Sequence, residues 1–174
     1  MTMSPGAQKL ALTAHITSSV GWLGAIVGFL ALAVVGVISQ DARTVRAVYV
    51  VMEPIGWFVL VPLSLASLLT GLIQSLGTTW GLFRHYWILA KLSMNLFASI
   101  VLLMYMQTLG YLTGVAADTT TSTRVPDVLT NPTAVLHAGG ALLLLLVAVT
   151  LSVFKPRGLT KYGQRKQHER GLLT

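Results

Sequence analysis

Four stretches without a single charged residue divide this chain. No Asp, Glu, Lys or Arg occurs between Lys9 and Asp41, between Glu53 and Arg84, between Lys91 and Asp118, or between Asp127 and Lys155. A helix crosses the hydrocarbon core of a bilayer with about 20 apolar residues, and each stretch can hold one. The runs are continuous rather than alternating, and lipid leaves no water for unpaired backbone groups, so helices are favoured over a barrel. The spacing predicts spans at Leu10–Ser39, Val48–Gln74, His85–Thr113 and Thr133–Phe154. The expected fold is all-α: an integral membrane four-helix up-down bundle over residues 1–158, followed by a basic tail over 159–174.

Composition agrees. Of 174 residues, 54% are hydrophobic and 10% charged, against about 25% charged in soluble domains. That leaves too little polar surface for a soluble globule and too little charge for a disordered chain. The absence of cysteine removes zinc–thiolate sites, iron–sulfur clusters and thiol nucleophiles. The first stretch is too long for the h-region of a signal peptide, about 7–15 residues, and is expected to remain as a span.

The net charge of +7 is distributed unevenly. One side of the predicted bundle carries Lys9, Arg84, Lys91, Lys155, Arg157, Lys161, Arg165, Lys166, Arg170 and Glu169. The other carries Arg43, Arg46, Arg124, Asp41, Glu53, Asp118 and Asp127. The balance is +8 against −1, and the positive-inside rule sets both termini in the cytoplasm of a bacterial cell, the chain being multi-pass in its cytoplasmic membrane. The basic tail therefore reads as a juxtamembrane segment resting on anionic lipid rather than as a nucleic-acid site.

Polar residues inside the spans are the candidates for chemistry. His15, Ser18, Ser19 and Trp22 share one face of the first span, which continues through Ile26, Phe29 and Ala33. In the third span Arg84, Lys91 and Asn95 share a face with Trp87 between them. Lys91 lies about 9 Å deeper than His85 by the helical rise; it either snorkels to the headgroups or faces the interior. Glu53, Trp57, Ser64, Ser67, Gly71 and Gln74 form a stripe on the second span, read as helix packing. Gly24-x-x-x-Gly28 and Gly110-x-x-x-Gly114 carry the same packing reading. Thr133, His137 and Gly140 share a face of the fourth span near its outer end.

His15, His85 and Lys91 fall in one leaflet, on spans that sit diagonally in an up-down bundle. Imidazoles facing each other across an apolar interior suit haem b. In that reading His15 and His85 are the axial ligands, with Lys91 as the substitute for His85. Arg84 and Lys9 neutralise the propionates, and Trp22, Phe29, Trp87 and Phe97 line the ring. His137 serves a second metal site or none. Plainer readings stand beside it. His85 belongs to an interfacial aromatic belt with Trp80, Tyr86 and Trp87, or His15 simply hydrogen-bonds a neighbouring helix. A copper relay is only weakly signalled, by Met104 and Met106.

The pair His15-x6-Trp22 with Gly24, together with Trp87-x3-Lys91, resembles the superfamily that holds copper-resistance-D-type domains and HemJ-type protoporphyrinogen oxidases. Actinobacterial members are similar to this chain in Trp80-Gly-Leu-Phe-Arg-His-Tyr-Trp and in the tail Lys155-Pro-Arg-Gly-Leu-Thr. The resemblance implies haem binding in a helical bundle, with His15 and Lys91 at the positions the HemJ-type family uses for haem and activity. Two positions differ. Leu89 stands where those proteins usually have a further His, and the first span is followed by none of their Pro-Arg-Leu-type run.

The expected function is a membrane haem-b protein that moves electrons, with a membrane or quinone redox partner and homo-oligomers open. The rivals are a HemJ-like porphyrin or quinol oxidase, and a non-enzymatic metal transporter or accessory subunit. Because the chain has no native cysteine, orientation is directly testable. A membrane-impermeant maleimide should label Thr121→Cys in intact cells, and Lys161→Cys only after permeabilisation. The reverse pattern would invert the topology.

Overall fold

The structure, a computed structural model, describes residues 3–77, 81–118, 125–156 and 158–171, without the side chains of 169–171. Trp80, Arg124 and Arg157, and the side chains of Glu169 and Arg170, lie outside the described residues. Four helical segments are long and apolar enough to cross a membrane: Pro5–Ile38, Ala42–Gly77, Tyr86–Ala117 and Asp127–Phe154.

Local chemistry explains where the helices start and stop. Ser4 caps α1 (Pro5–Ile38), accepting from the Ala7 N–H at 3.4 Å, with Pro5 at the first position. Proline is tolerated there because that N–H has no intrahelical partner. The span thus begins before Leu10. Asp41 caps α2 (Ala42–Ile55) through the N–H groups of Arg43 and Thr44 and the Thr44 hydroxyl. That cap starts the second helix ahead of Val48, on residues that include Arg43 and Arg46. Arg46 donates to the Ala116 carbonyl at 3.2 Å and to that of Asp118, satisfying acceptors that the end of the third span leaves open.

The second span is not uniform. Pro54 sits inside α2 and Pro62 inside α3 (Val61–Gly77), and between them Gly56–Leu60 form a π-helical turn. A proline cannot donate to the helical ladder and crowds the carbonyl four residues back; a wider turn relieves both. The turn changes the helical phase. Ser64 and Ser67 are buried, whereas Trp57 is 46% exposed. Of the predicted stripe, Trp57 is therefore turned out, while Glu53 stays half-buried beside Gly110.

The third span is α4 (Tyr86–Ala117), and the fourth is α5 (Thr133–Phe154). A 3₁₀ turn at Asp127–Thr130 leads into α5 and buries Leu129, whose carbonyl accepts from Tyr49 Oη at 2.9 Å. α5 stops at Lys155, in the left-handed region at φ 43, with Pro156 next. Pro156 cannot continue a helix.

α1 packs on α2–α3 and on α5, and α4 packs on the same two neighbours. The bundle is therefore a four-membered ring with spans one and three on a diagonal. Its apolar content is turned outward as well as inward: Phe58 is 80% exposed and Val153 70%. This is the surface expected of helices in lipid, which are apolar all round. Gly24, Gly28 and Gly114 would meet nothing within 4 Å if given a Cβ, whereas one at Gly110 would lie 3.4 Å from Glu53 Oε1, so of the two Gly-x-x-x-Gly pairs Gly110 alone faces a neighbouring helix of this bundle.

The tail is docked rather than loose. Thr160 N–H donates to the Arg84 carbonyl at 3.0 Å, and Tyr86 N–H to that of Gly158 at 3.3 Å. The Thr160 hydroxyl donates to the Phe83 carbonyl. These bonds set α6 (Lys161–Gly171) against the turn before α4. Gly163 lies so close to the Arg84 carbonyl that no Cβ fits between them. Lys161, Arg165 and Lys166 stay exposed.

The Asp41 cap makes one end of the bundle acid-sensitive. The Thr44 hydroxyl, then the Thr44 and Arg43 amides, hold the Asp41 carboxyl below the usual range. Its folded pKa is below its unfolded one, so the cap's contribution is full above about pH 4 and is lost as pH falls through the lower folded value. Asp41→Ala should remove this component from the acid limb of a thermal-unfolding series in detergent; an unchanged acid limb would count against it.

Candidate functional site

Two polar groupings interrupt the apolar interior. The first lies in the half of the bundle nearer the termini, where α1, α3 and α4 meet around Ser67. The Ser67 hydroxyl meets Ser19 Oγ at 2.8 Å and accepts from Asn95 Nδ2 at 3.3 Å. Its carbonyl lies 3.2 Å from His15 Nδ1. Thr70 Oγ1 donates to the Ala66 carbonyl at 2.6 Å and lies 3.1 Å from the same His15 nitrogen. One residue of α3 thus ties together a helix on either side.

In a neutral ring the Ser67 carbonyl selects the His15 tautomer. A backbone carbonyl only accepts, so Nδ1 carries the proton and donates to Ser67. Nε2 is left with its lone pair. The ring rests against Gly71, where a Cβ would come within 3.0 Å of His15 Cε1; glycine at this position is what admits the imidazole. Asn95 Oδ1 is buried without a hydrogen-bond partner, an unusual state for a buried amide.

Ser19 and Asn95 both meet the Ser67 hydroxyl, and His15 and Lys91 lie one helical turn before them on α1 and α4. The Lys91 ammonium lies 5.6 Å from the centre of the Trp87 ring, one helical turn back toward the start of α4. The side chain thus leans toward the rim, as a snorkelling lysine does. His85 immediately precedes α4, paired through its backbone with Leu159 of the tail, its ring 6.2 Å from that of Trp87. Six residues separate it from Lys91 in the sequence, about 9 Å along the axis. His15 and Lys91 therefore share a level, while His85 and Arg84 belong to the turn held by the tail. Among the described residues, no three of His, Asp or Glu gather as a metal cluster.

The second grouping lies in the other half. A cavity of about 320 Å³ opens between α1, α4 and α5, lined by Trp22, Phe29, Phe97, Tyr105 and His137 among apolar neighbours. Trp22 thus faces this cavity's wall rather than the Ser67 junction. Tyr105 stacks on His137, ring centres 4.3 Å apart and planes inclined by 22°. His137 Nδ1 donates to the Thr133 carbonyl at 2.8 Å, which again leaves Nε2 as the acceptor nitrogen.

Thr70 and Tyr105 escaped the sequence reading. Thr70 was hidden among the small polar residues common in membrane helices. Tyr105 became conspicuous only when packed against a histidine on another helix.

Substitutions separate packing from ring placement. Ser67→Ala keeps the carbonyl that holds His15 but removes the partner of Ser19 and Asn95. With about 0.6 kcal/mol per interhelical bond in lipid, the loss should be about 1 kcal/mol in detergent unfolding. Gly71→Val should displace the His15 ring, read as a shifted imidazole resonance. If Ser67→Ala shifts that resonance equally, the two roles are not separable.

Comparison of the chain with family models, curated proteins and solved structures finds no match.

Proposed function

We propose that this chain is a multi-pass protein of the bacterial cytoplasmic membrane that binds haem b near its cytoplasmic end and takes part in electron transfer. The observation that carries the reading is the 3.2 Å contact of His15 Nδ1 with the Ser67 carbonyl, which in a neutral ring makes Nδ1 the donor and leaves Nε2 its lone pair. Metal-bound histidines are oriented in this way, by a hydrogen bond from the far nitrogen to a carbonyl. Gly71 supplies the cradle that a side chain would fill.

The donor set fits one imidazole at this level rather than a pair. His15 is the iron ligand in this reading, and His85 stays at the rim. Lys91, leaning over Trp87, and Arg84 beside the tail are the cations for the carboxylates of the porphyrin, which belong where the bundle meets water. Haem bound there supplies one-electron exchange. The protein's part is to hold the imidazole tautomer, keep the ring in an apolar interior and present positive charge at one edge. The resemblance to HemJ-type proteins points to the same two residues, His15 and Lys91.

The absorption spectrum of the detergent-purified protein tests the reading. Protein from haem-replete cells should show a Soret band that His15→Ala abolishes and His85→Ala leaves in place. Lys91→Gln should weaken retention of haem during purification. Absence of the band in the wild type, before and after addition of hemin, would falsify the proposal and leave His15 as a packing residue.

A further inference from the structure

The face of α4 that turns away from the bundle carries a side chain that lipid does not satisfy. Leu96, Ile100, Leu103, Gln107 and Gly114 follow one another at spacings of four, three, four and seven residues, which aligns them as one stripe along the helix. Leu96 is 46% exposed and Ile100 48%, and Gln107 and Gly114 are exposed as well. Leu109 and Ala116, on the opposite side of α4, are buried, so Gln107 points away from the core. Ten residues separate it from Ala117 at the end of α4, about 15 Å of helical rise, and no charged residue occurs between Lys91 and Asp118.

An amide among lipid tails has no water to bond. An exposed hydroxyl can return to the carbonyl one turn back, as Thr13 does to Lys9 at 3.0 Å and Thr150 to Leu146 at 2.8 Å. Glutamine has two donors and a carbonyl acceptor to satisfy. Among the described residues nothing hydrogen-bonds the Gln107 amide.

The membrane restricts what can answer it. All copies of a chain insert with the same orientation. Two copies that meet along α4 therefore pack in parallel, and a two-fold axis along the membrane normal brings equal depths together. Gln107 then faces Gln107. An amide is complementary to itself, since each gives one N–H and accepts at one carbonyl. The surrounding stripe has the alternating four–three spacing of a parallel helix pair, in which a single polar residue at the seam fixes the register. Gly114 has open space where a Cβ would go, which lets two backbones approach at that level.

We propose that the outward face of α4 is the contact surface for a second copy of this chain, the two Gln107 amides exchanging a reciprocal pair of hydrogen bonds across the dimer axis. The surface uses neither His15 nor Lys91, so it stands whether or not the chain binds haem.

The absence of native cysteine lets single cysteines report the contact. With copper–phenanthroline as oxidant in membranes, full-length Leu103→Cys should form a disulfide-linked dimer. Leu143→Cys, exposed on α5, should stay monomeric. Sedimentation equilibrium in density-matched detergent should show a monomer–dimer equilibrium for the wild type. Gln107→Met, which keeps the length of the side chain and removes the amide, should raise the dissociation constant about 5- to 10-fold, the effect of two interhelical hydrogen bonds, with helix content unchanged. A wild type that stays monomeric, or a dissociation constant unchanged in Gln107→Met, would overturn the proposal. So would equal cross-linking of the two cysteines, the mark of chance encounters rather than of a defined face.

Discussion

Lipid offers no hydrogen bonds, and that constraint governs how the polar residues of this bundle are arranged. A hydroxyl or imidazole within a span has to find its partner on its own helix or on a neighbour. Ser67 meets the demand from both sides at once, its hydroxyl serving Ser19 and Asn95 and its carbonyl serving His15. Each such bond contributes only a fraction of a kcal/mol in a membrane. Their combined effect is on register: they set α1, α3 and α4 at depths where His15, Gly71 and Lys91 fall on one level.

The same constraint gives meaning to the exceptions. Trp22 Nε1, Tyr105 Oη and Asn95 Oδ1 are buried and unpartnered in an interior where most polar groups are bonded. Two of the three line the cavity, and the third sits on the Ser67 junction. The π-helical turn at Gly56–Leu60 belongs to the same account. It lets a span with two prolines cross as one continuous rod while re-aiming α3, so that Ser64 and Ser67 point inward.

The termini of the spans were less legible than their centres. Charge-free stretches mark where lipid must be, but caps and tertiary contacts decide where helices begin. Asp41 carries α2 well beyond the apolar stretch, and Ser4 does the same for α1. The tail was legible as basic and juxtamembrane. Its docking on the Phe83–Arg84 turn was not, because that contact is made through backbone carbonyls and the missing Cβ of Gly163.

The sequence by itself determined the number of spans, their helical character and the face of α1 that turns inward. These depend on the separation of charges and on the helical period, both local properties of the chain. It also singled out His15, Lys91 and His137, because ionisable groups are rare in spans. Only the tertiary structure decided which of them share a level and which do not. It set His85 with the tail instead of with His15, tied His15 to Ser67 by one nitrogen, and stacked His137 on Tyr105 beside a cavity. Those pairings depend on the axial offset between neighbouring helices, and that offset is set by caps, a π-helical turn and interhelical hydrogen bonds that no periodicity within one helix records.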